Sequence, residues 1–474
     1  MTPNQIGFAL LYIGVFIIIG KLLRVNLRWM QNLFLPSSLI AGFVALLVGP
    51  QVLGKLLDHW FNGMSSGLLT DQVIDVWSVL PGLMINIVFA TLFLGNPLPS
   101  KKNIVKYGGP QLAFGWTLGW GQYVIAIALT VLLLTPMFGM PSMAGALIEI
   151  AFEGGHGTAA GMQSTFEKLG FPEGYDLSIG LATVGVLTGI IVGIILINWG
   201  VRTGKTRMIK DVEGFSDLRK KGIIEYENRE PAAELTVRPE SIEPMALHFG
   251  FIAVAVLIGY AILQGLIWIE SVTWGAWTGT EFLTYIPLFP LAMVGGIILQ
   301  AILGKFDKAH IMDRRMINRI QGFALDILIL TAVGTVSLEI LGSYFIPFLI
   351  LASAGILWNV FGFLYLAKRI IPEYWFERGI GDFGQSTGIT ATGMLLMQIV
   401  DPENKSPAFE SFGYKQLVFE PFLGGGLVTA LAVPLLYNFG PYPLLIFATI
   451  MTLGGAILGM LHFRKKKRQN EHAS

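Results

Sequence analysis

Two clusters of glycine, hydroxyl and amide residues interrupt long apolar stretches of this chain. One is Gly154-Gly155-His156-Gly157-Thr158. The other runs from Gly379 to Gly393 and contains Asp382, Gly384, Gln385, Ser386, Thr387, Thr390 and Thr392. Lipid offers a backbone no hydrogen-bond partners, so irregular glycine-rich chain at membrane depth persists only inside protein or along a wet cavity. A broken helix exposes amide groups at one end and carbonyls at the other. The amides attract carboxylates and the carbonyls attract small cations. Glycine lets a ligand approach the backbone closely, and hydroxyls serve either ion. No Lys or Arg occurs between Gln111 and Glu167, or between Gly379 and Asn404. An anionic ligand is therefore expected to be held by amides, hydroxyls and His156, without an arginine clamp, and to arrive with its own cations.

Carboxylates within apolar segments are costly and need a reason. Glu149 and Glu153 are four residues apart, so they share one helical face leading into the first break. Asp382 lies in the second break, Asp326 in a hydrophobic span, and Glu420 in another beside Pro421. These five acids are candidates for coupling transported charge. A hard cation such as sodium prefers oxygen ligands, and a site near Asp382 and Thr158 would supply them. Plainer readings stand beside these. The glycines can serve close helix packing, His156 can satisfy a carbonyl, and Asp382 can cap a helix. Glu153 and Glu420 can be solvated near an interface, and so can Asp326, about one turn from the cytoplasmic end of its expected span. Trp268, Trp274 and Trp277 read as an interfacial belt.

The elements that must position these groups are membrane helices. Hydrophobic residues make up 53% of 474 positions and charged residues 13%, against about 25% charged in soluble domains. The class is all-α integral membrane. Cysteine is absent, which excludes disulfides and thiolate metal sites. The first apolar stretch carries Lys21, Arg24 and Arg28 at its far end and no positive charge before it, the reverse of a signal peptide. At roughly 20 residues per crossing, eleven spans are expected: Ile6–Leu23, Phe34–Leu53, Val73–Leu94, Gln111–Leu134, Leu177–Val201, Met245–Ile269, Tyr285–Leu303, Gln321–Leu341, Phe345–Leu366, Tyr414–Leu436 and Tyr442–Phe463. Residues 202–244 are too polar to enter the bilayer and form a linker or small cytoplasmic cap.

Two segments remain, Ser142–Leu169 and Gly379–Val400. If each dips in and returns, with the N-terminus outside, the inside loops hold Arg24, Arg28, Lys101, Lys102, Lys106, the basic linker, Lys305, Arg314, Arg315, Arg319, Lys368, Arg369 and the Arg464–Arg468 tail. The outside then keeps little positive charge beyond Lys55 and Lys168. Full crossing would put the linker outside, so the positive-inside rule favours re-entry. Residues 1–201 and 245–440 then each hold five spans and a re-entrant segment. Five is odd, so the second set runs inverted relative to the first, with the irregular segments meeting near the midplane. Residues 441–474 add a final span and a basic tail.

With these residues in view, the chain resembles the bacterial sodium/glutamate symporters. The match is strongest over Glu149–Met162 with its Gly-Gly-His-Gly-Thr, and continues in Ala182-Thr183 with Gly185. Leu35-Pro36 with Ile40-Ala41-Gly42, and Gly384, Gly388, Thr390, Thr392 and Met397-Gln398, are also similar. The resemblance implies sodium-coupled symport of glutamate or a related small organic anion in an inner membrane, with sodium as coupling ion and no other cofactor. It also implies a homodimer whose transport domain moves by an elevator mechanism. The chain departs from the family pattern at Glu149 and Glu153, where small and hydroxyl residues are usual, at Gln385 and Ser386, and at Asp326. Extra carboxylates there repel a dicarboxylate unless protonated or neutralised by cations.

Rival readings remain open on the residues. Proton coupling or exchange could use Glu149, Glu153 or Asp382, and re-entrant segments also line passive channels. Gly379-Ile380-Gly381-Asp382 is similar to an intramembrane aspartyl protease signature, with Asp176 as the possible second acid.

Overall fold

The computed structural model describes residues 2–60, 65–96, 108–209, 216–279 and 281–463. Among these residues all regular structure is helical, as the apolar runs require. Lys101, Lys102, Lys106 and the Arg464–Arg468 tail lie outside them. Among the described residues ten helices are long and apolar enough to cross a membrane: Pro3–Asn26, Ser37–Trp60, Asp71–Thr91, Gly109–Phe138, Glu173–Arg202, Pro244–Val272, Phe289–Phe306, Arg314–Gly334, Phe345–Ile370 and Pro441–Phe463. They follow the expected spans one to nine and eleven in order. Side chains set several of their starts. Thr2 and Gln5 form a capping box, and Thr70 and Glu243 accept from amides of the first turn.

The eighth span begins earlier than the hydropathy pattern suggests. Asp313 caps it by accepting from the Arg315 and Met316 amides. Arg314 then donates to the carbonyls of Thr91 (2.6 Å) and Leu94 (2.5 Å) at the end of the third span. Asp326 therefore sits in the middle of Arg314–Gly334, exposed, and not one turn from a helix end. The expected tenth span is also not continuous. Helix Ala408–Phe419 stops, residues 420–426 run without helix, and Leu427–Phe439 begins a second piece. Pro421 lacks an amide proton to continue the ladder. Gly424 and Gly425 adopt positive φ (70° and 104°), a backbone region that suits glycine.

The chain divides into two compact units. The first gathers Met1–Leu98, Ala160–Thr165 and Phe215–Ile340. Its core holds Trp77, whose indole donates to the Ala9 carbonyl at 3.0 Å, edge-on to Phe16. Glycines bring the sixth and seventh spans together: a Cβ on Gly295 would lie 2.0 Å from the Ala255 carbonyl oxygen. Lys21 also donates to the carbonyls of Lys221 and Gly222, fastening part of the linker to the first span.

The second unit gathers Pro99–Ala159, Phe166–Gly214 and Leu341–Ser474. It contains the fourth, fifth, ninth and last long helices and the broken segments between them. Its core includes Phe114, Leu118, Phe363, Phe376, Phe383, Leu396 and Met397. Glu377 accepts from the amides of Arg207 and Met208, which fixes the start of the linker to this unit. Both glycine turns and four of the five candidate acids are in this unit, whereas Ala160–Thr165 of the first segment belongs to the other.

Candidate binding site

In the first segment, helix Leu147–Phe152 ends at Glu153, and the chain turns at Gly154 into Gly155–Gly161. Gly155 has φ +66°, which any side chain would strain. In the second, Trp375–Thr387 and Thr390–Val400 are separated by Gly388 and Ile389. These two arms cross at glycines, since a Cβ on Gly393 would meet the Gly381 carbonyl oxygen at 2.3 Å. The two turns approach each other directly. A Cβ on Gly155 would lie 2.6 Å from Ile389 Cγ2 and 3.5 Å from the Gly388 carbonyl oxygen.

Neighbouring helices hold the second turn. Gln122 donates to the Ser386 carbonyl at 2.7 Å and Asn359 donates to the same oxygen at 2.5 Å. Asn359 also donates to Thr387 Oγ1 at 3.2 Å, and Gln122 reaches Asn359 Oδ1 at 3.2 Å. A carbonyl that would be orphaned at a helix end is thus satisfied by side chains. The fifth span backs this turn through Gly185, where a Cβ would be 2.2 Å from the Thr387 carbonyl oxygen. His156 is buried and meets Thr183 Oγ1 at 2.9 Å, while that hydroxyl donates to the Ile179 carbonyl.

The first arm of the second segment carries a buried charge network. Asp382 Oδ1 lies 3.1 Å from Lys415 Nζ, and both side chains are 0% exposed. Asp382 Oδ2 accepts from Gln111 Nε2 at 2.6 Å, and Gln111 Oε1 accepts from Arg378 Nε at 2.9 Å. Lys415 also donates to Gln385 Oε1 at 2.7 Å and stands 4.1 Å from the centre of the Phe419 ring. The absence of basic residues from the two segments therefore does not leave the site without cations. Arg378 borders the window that contains none, and Lys415 arrives from helix Ala408–Phe419.

Glu149 and Glu153 share a helical face but have different partners. Glu149 accepts from Tyr123 OH (2.6 Å), the Gly424 amide (2.9 Å) and Thr429 Oγ1 (2.8 Å). It joins the fourth span to the break at 420–426. Both Glu153 oxygens are buried without a hydrogen bond, as are Thr158 Oγ1 and Ser386 Oγ. Orphaned buried oxygens are uncommon and call for a ligand or ion. Glu149, Glu153, Asp382, Arg378 and Lys415 are all buried, and Asp382 lies against Lys415 and, through Gln111, reaches Arg378. The oxygens of Glu153, Thr158 and Ser386 are of the hard type that sodium takes.

The other singled-out residues fall in place around this set. Thr390 accepts from Gln416 Nε2 at 3.2 Å, and the same amide donates to Glu420 Oε1 at 2.7 Å. Thr392 is buried, and Gly384 packs against Gly393. Gly154 and Gly157 belong to the first turn and the helix after it. Asp326 belongs to the first unit. Asp382 is paired with Lys415 and Gln111. Sequence reasoning passed over Gln111, Gln122, Tyr123, Asn359, Arg378 and Lys415. The amides among them carried a signal of the same kind as the acids, polar groups in apolar spans.

The family model described as sodium/glutamate symporter covers residues 5–401. No curated protein matches the chain.

Proposed function

The chain belongs to the sodium/glutamate symporter family, and from that membership we propose a secondary active transporter that couples sodium to the uptake of glutamate or a related small organic anion. The observation that carries this reading is the meeting of two broken helices at Gly155 and Gly388–Ile389, beside the unpaired oxygens of Glu153, Thr158 and Ser386. Amides and hydroxyls of Gly154–Thr158 and Gly384–Thr392 bind the anion. Glu153 holds the coupling sodium, and Asp382 with Lys415 sets the charge balance around it. Glu149, Asp326 and Glu420 lie outside this inner set of roles: Glu149 is a fastening, Glu420 orients Gln416 toward Thr390, and Asp326 belongs to the other unit.

In this reading residues 1–201 and 245–440 are inverted repeats, 202–244 is a cytoplasmic linker, and 441–474 is an added span with its tail. The second unit is the moving transport domain of an elevator, since it carries both turns. The protein is a homodimer in a bacterial inner membrane, N-terminus outside and C-terminus in the cytoplasm. Proton coupling through Glu153 is the second reading, favoured by the same missing hydrogen bonds. Glutamate uptake into proteoliposomes, under a sodium gradient and separately under a proton gradient of equal size, distinguishes them. Accumulation with sodium alone supports symport with sodium, and accumulation with protons alone replaces it. Absence of uptake under both removes glutamate as the substrate.

A further inference from the structure

Lys415 is the least expected group in the second unit. Its ammonium is a compact, strongly hydrated point charge, yet the side chain is 0% exposed. Water around it has been replaced by Asp382 Oδ1 at 3.1 Å, Gln385 Oε1 at 2.7 Å and the Phe419 ring at 4.1 Å. A carboxylate oxygen, an amide oxygen and an aromatic face are what a dehydrated monovalent cation would require. The fourth span is shaped to admit it. Gly115 faces the lysine, and a Cβ there would stand 2.6 Å from Lys415 Cε and 3.1 Å from Nζ. Two of these ligands, Asp382 and Gln385, lie on the arm that ends at the second turn, within six residues of Gly388.

The ammonium is thus placed where an ion could influence the turn. Lys415 also lies beyond residue 401, where the match to the family ends. Family membership therefore says nothing about it, and its role must be argued from this chain. A buried ion pair kept only for stability is a weak bargain, because well-packed apolar residues do as well or better.

We propose that the Lys415 ammonium occupies a monovalent-cation site formed by Asp382, Gln385 and Phe419, so that the chain supplies by tether one cation its transport cycle would otherwise draw from solution. This rests on the transport reading above. Glu153, whose oxygens make no hydrogen bond, remains for an ion from solution. Removing the lysine side chain then leaves a bare carboxylate and an amide oxygen in a space large enough for sodium and water.

The test counts sodium. Labelled sodium bound to the detergent-solubilised protein, and the Hill coefficient for sodium in proteoliposome uptake, are measured for the parent, Lys415→Ala, and the double variant Lys415→Ala/Asp382→Asn. The alanine variant is expected to bind about one sodium more than the parent, with the Hill coefficient rising by about one, since a further ion now favours the transporting state. The double variant, lacking the carboxylate, is expected to return to the parent count. Thermal stability of the alanine variant should rise with sodium and not with an equal concentration of choline, because only an ion bound to the folded state stabilises it. An unchanged sodium count in the alanine variant overturns the proposal. So does an alanine variant that folds in neither salt, which would make the pair purely structural. Parent protein that shows no sodium-dependent uptake refutes the transport reading alone, because the binding count is read without flux.

Discussion

Replacing Glu149 with leucine removes the acceptor on which three donors converge, two buried and one half-buried: Tyr123 OH at 2.6 Å, Thr429 Oγ1 at 2.8 Å and the Gly424 amide at 2.9 Å. The donors are not equal. The Gly424 amide is fixed by a backbone at φ +70° and cannot turn elsewhere, so it bears the full penalty of an unmade bond, about 1–3 kcal/mol. The two hydroxyls can rotate toward other acceptors, and cross-helix bonds of this kind in membrane proteins average about 0.6 kcal/mol each. Together these give a destabilisation of about 2–4 kcal/mol for Glu149→Leu. Glu149→Gln keeps an oxygen for Gly424 and Thr429 and offers an N–H to the Tyr123 oxygen, so it should cost about 1 kcal/mol or less. The assay is denaturant unfolding of detergent-solubilised protein, followed by tryptophan emission, with sodium dependence of uptake measured alongside. The glutamine variant should keep the parent's sodium dependence, because in this account Glu149 fastens the break at 420–426 and does not carry charge. Glu149→Leu within about 0.5 kcal/mol of the parent would refute the fastening. Loss of sodium dependence in stable Glu149→Gln would refute its exclusion from coupling.

Three further outcomes follow from the same geometry. Gly155→Ala should cost about 1–2 kcal/mol for its left-handed backbone and abolish most uptake, because its Cβ would crowd Ile389 Cγ2 at 2.6 Å; adding Ile389→Ala should recover uptake in part, and uptake assays of the single and double variants decide this. Asn359 and Gln122 both donate to the Ser386 carbonyl, which only the double variant frees of both, so the effects of Asn359→Ala and Gln122→Ala on substrate affinity should be non-additive by about 0.5–3 kcal/mol in a double-mutant cycle. Burial pushes the Asp313 carboxyl up, but the amides of Glu234, Arg315 and Met316, with His248 nearby, outweigh this and hold it below its usual value. Its stabilisation is therefore present above the unfolded carboxylate value of about 3.9 and lost as pH falls through the lower folded value. Asp313→Ala should cost about 1 kcal/mol as a lost helix cap and flatten that acid limb in unfolding measured against pH.

The two turns were legible because glycine runs are a local signal: lipid tolerates no irregular backbone unless protein covers it. The third break had a local signal too, Pro421 followed by Gly424, Gly425 and Gly426. The hydropathy of Tyr414–Leu436 outweighed it, since hydropathy averages over a window and a break does not. The helix that carries Asp326 starts earlier than hydropathy suggests for a related reason. The apolar window begins near Gln321, whereas Asp313 and Arg314 begin the helix, through a cap and a contact with the third span. Lys415 could not be placed from a linear window. Its partner Gln385 is thirty positions earlier, and only the return of helix Ala408–Phe419 against the first arm brings them together. The pairing of Gln111 with Asp382 spans a still longer separation. Charge counts along the chain inform on topology, while the charge balance of a site depends on which helices meet.

The account's central claim is that sodium and a small organic anion cross together through the turns at Gly155 and Gly388. Influx of labelled sodium into proteoliposomes, measured with and without external glutamate, tests it most directly. The account predicts that glutamate accelerates sodium influx in the parent and that Glu153→Gln abolishes the acceleration while the protein stays folded. Sodium influx indifferent to glutamate, or acceleration that survives in Glu153→Gln, would contradict it.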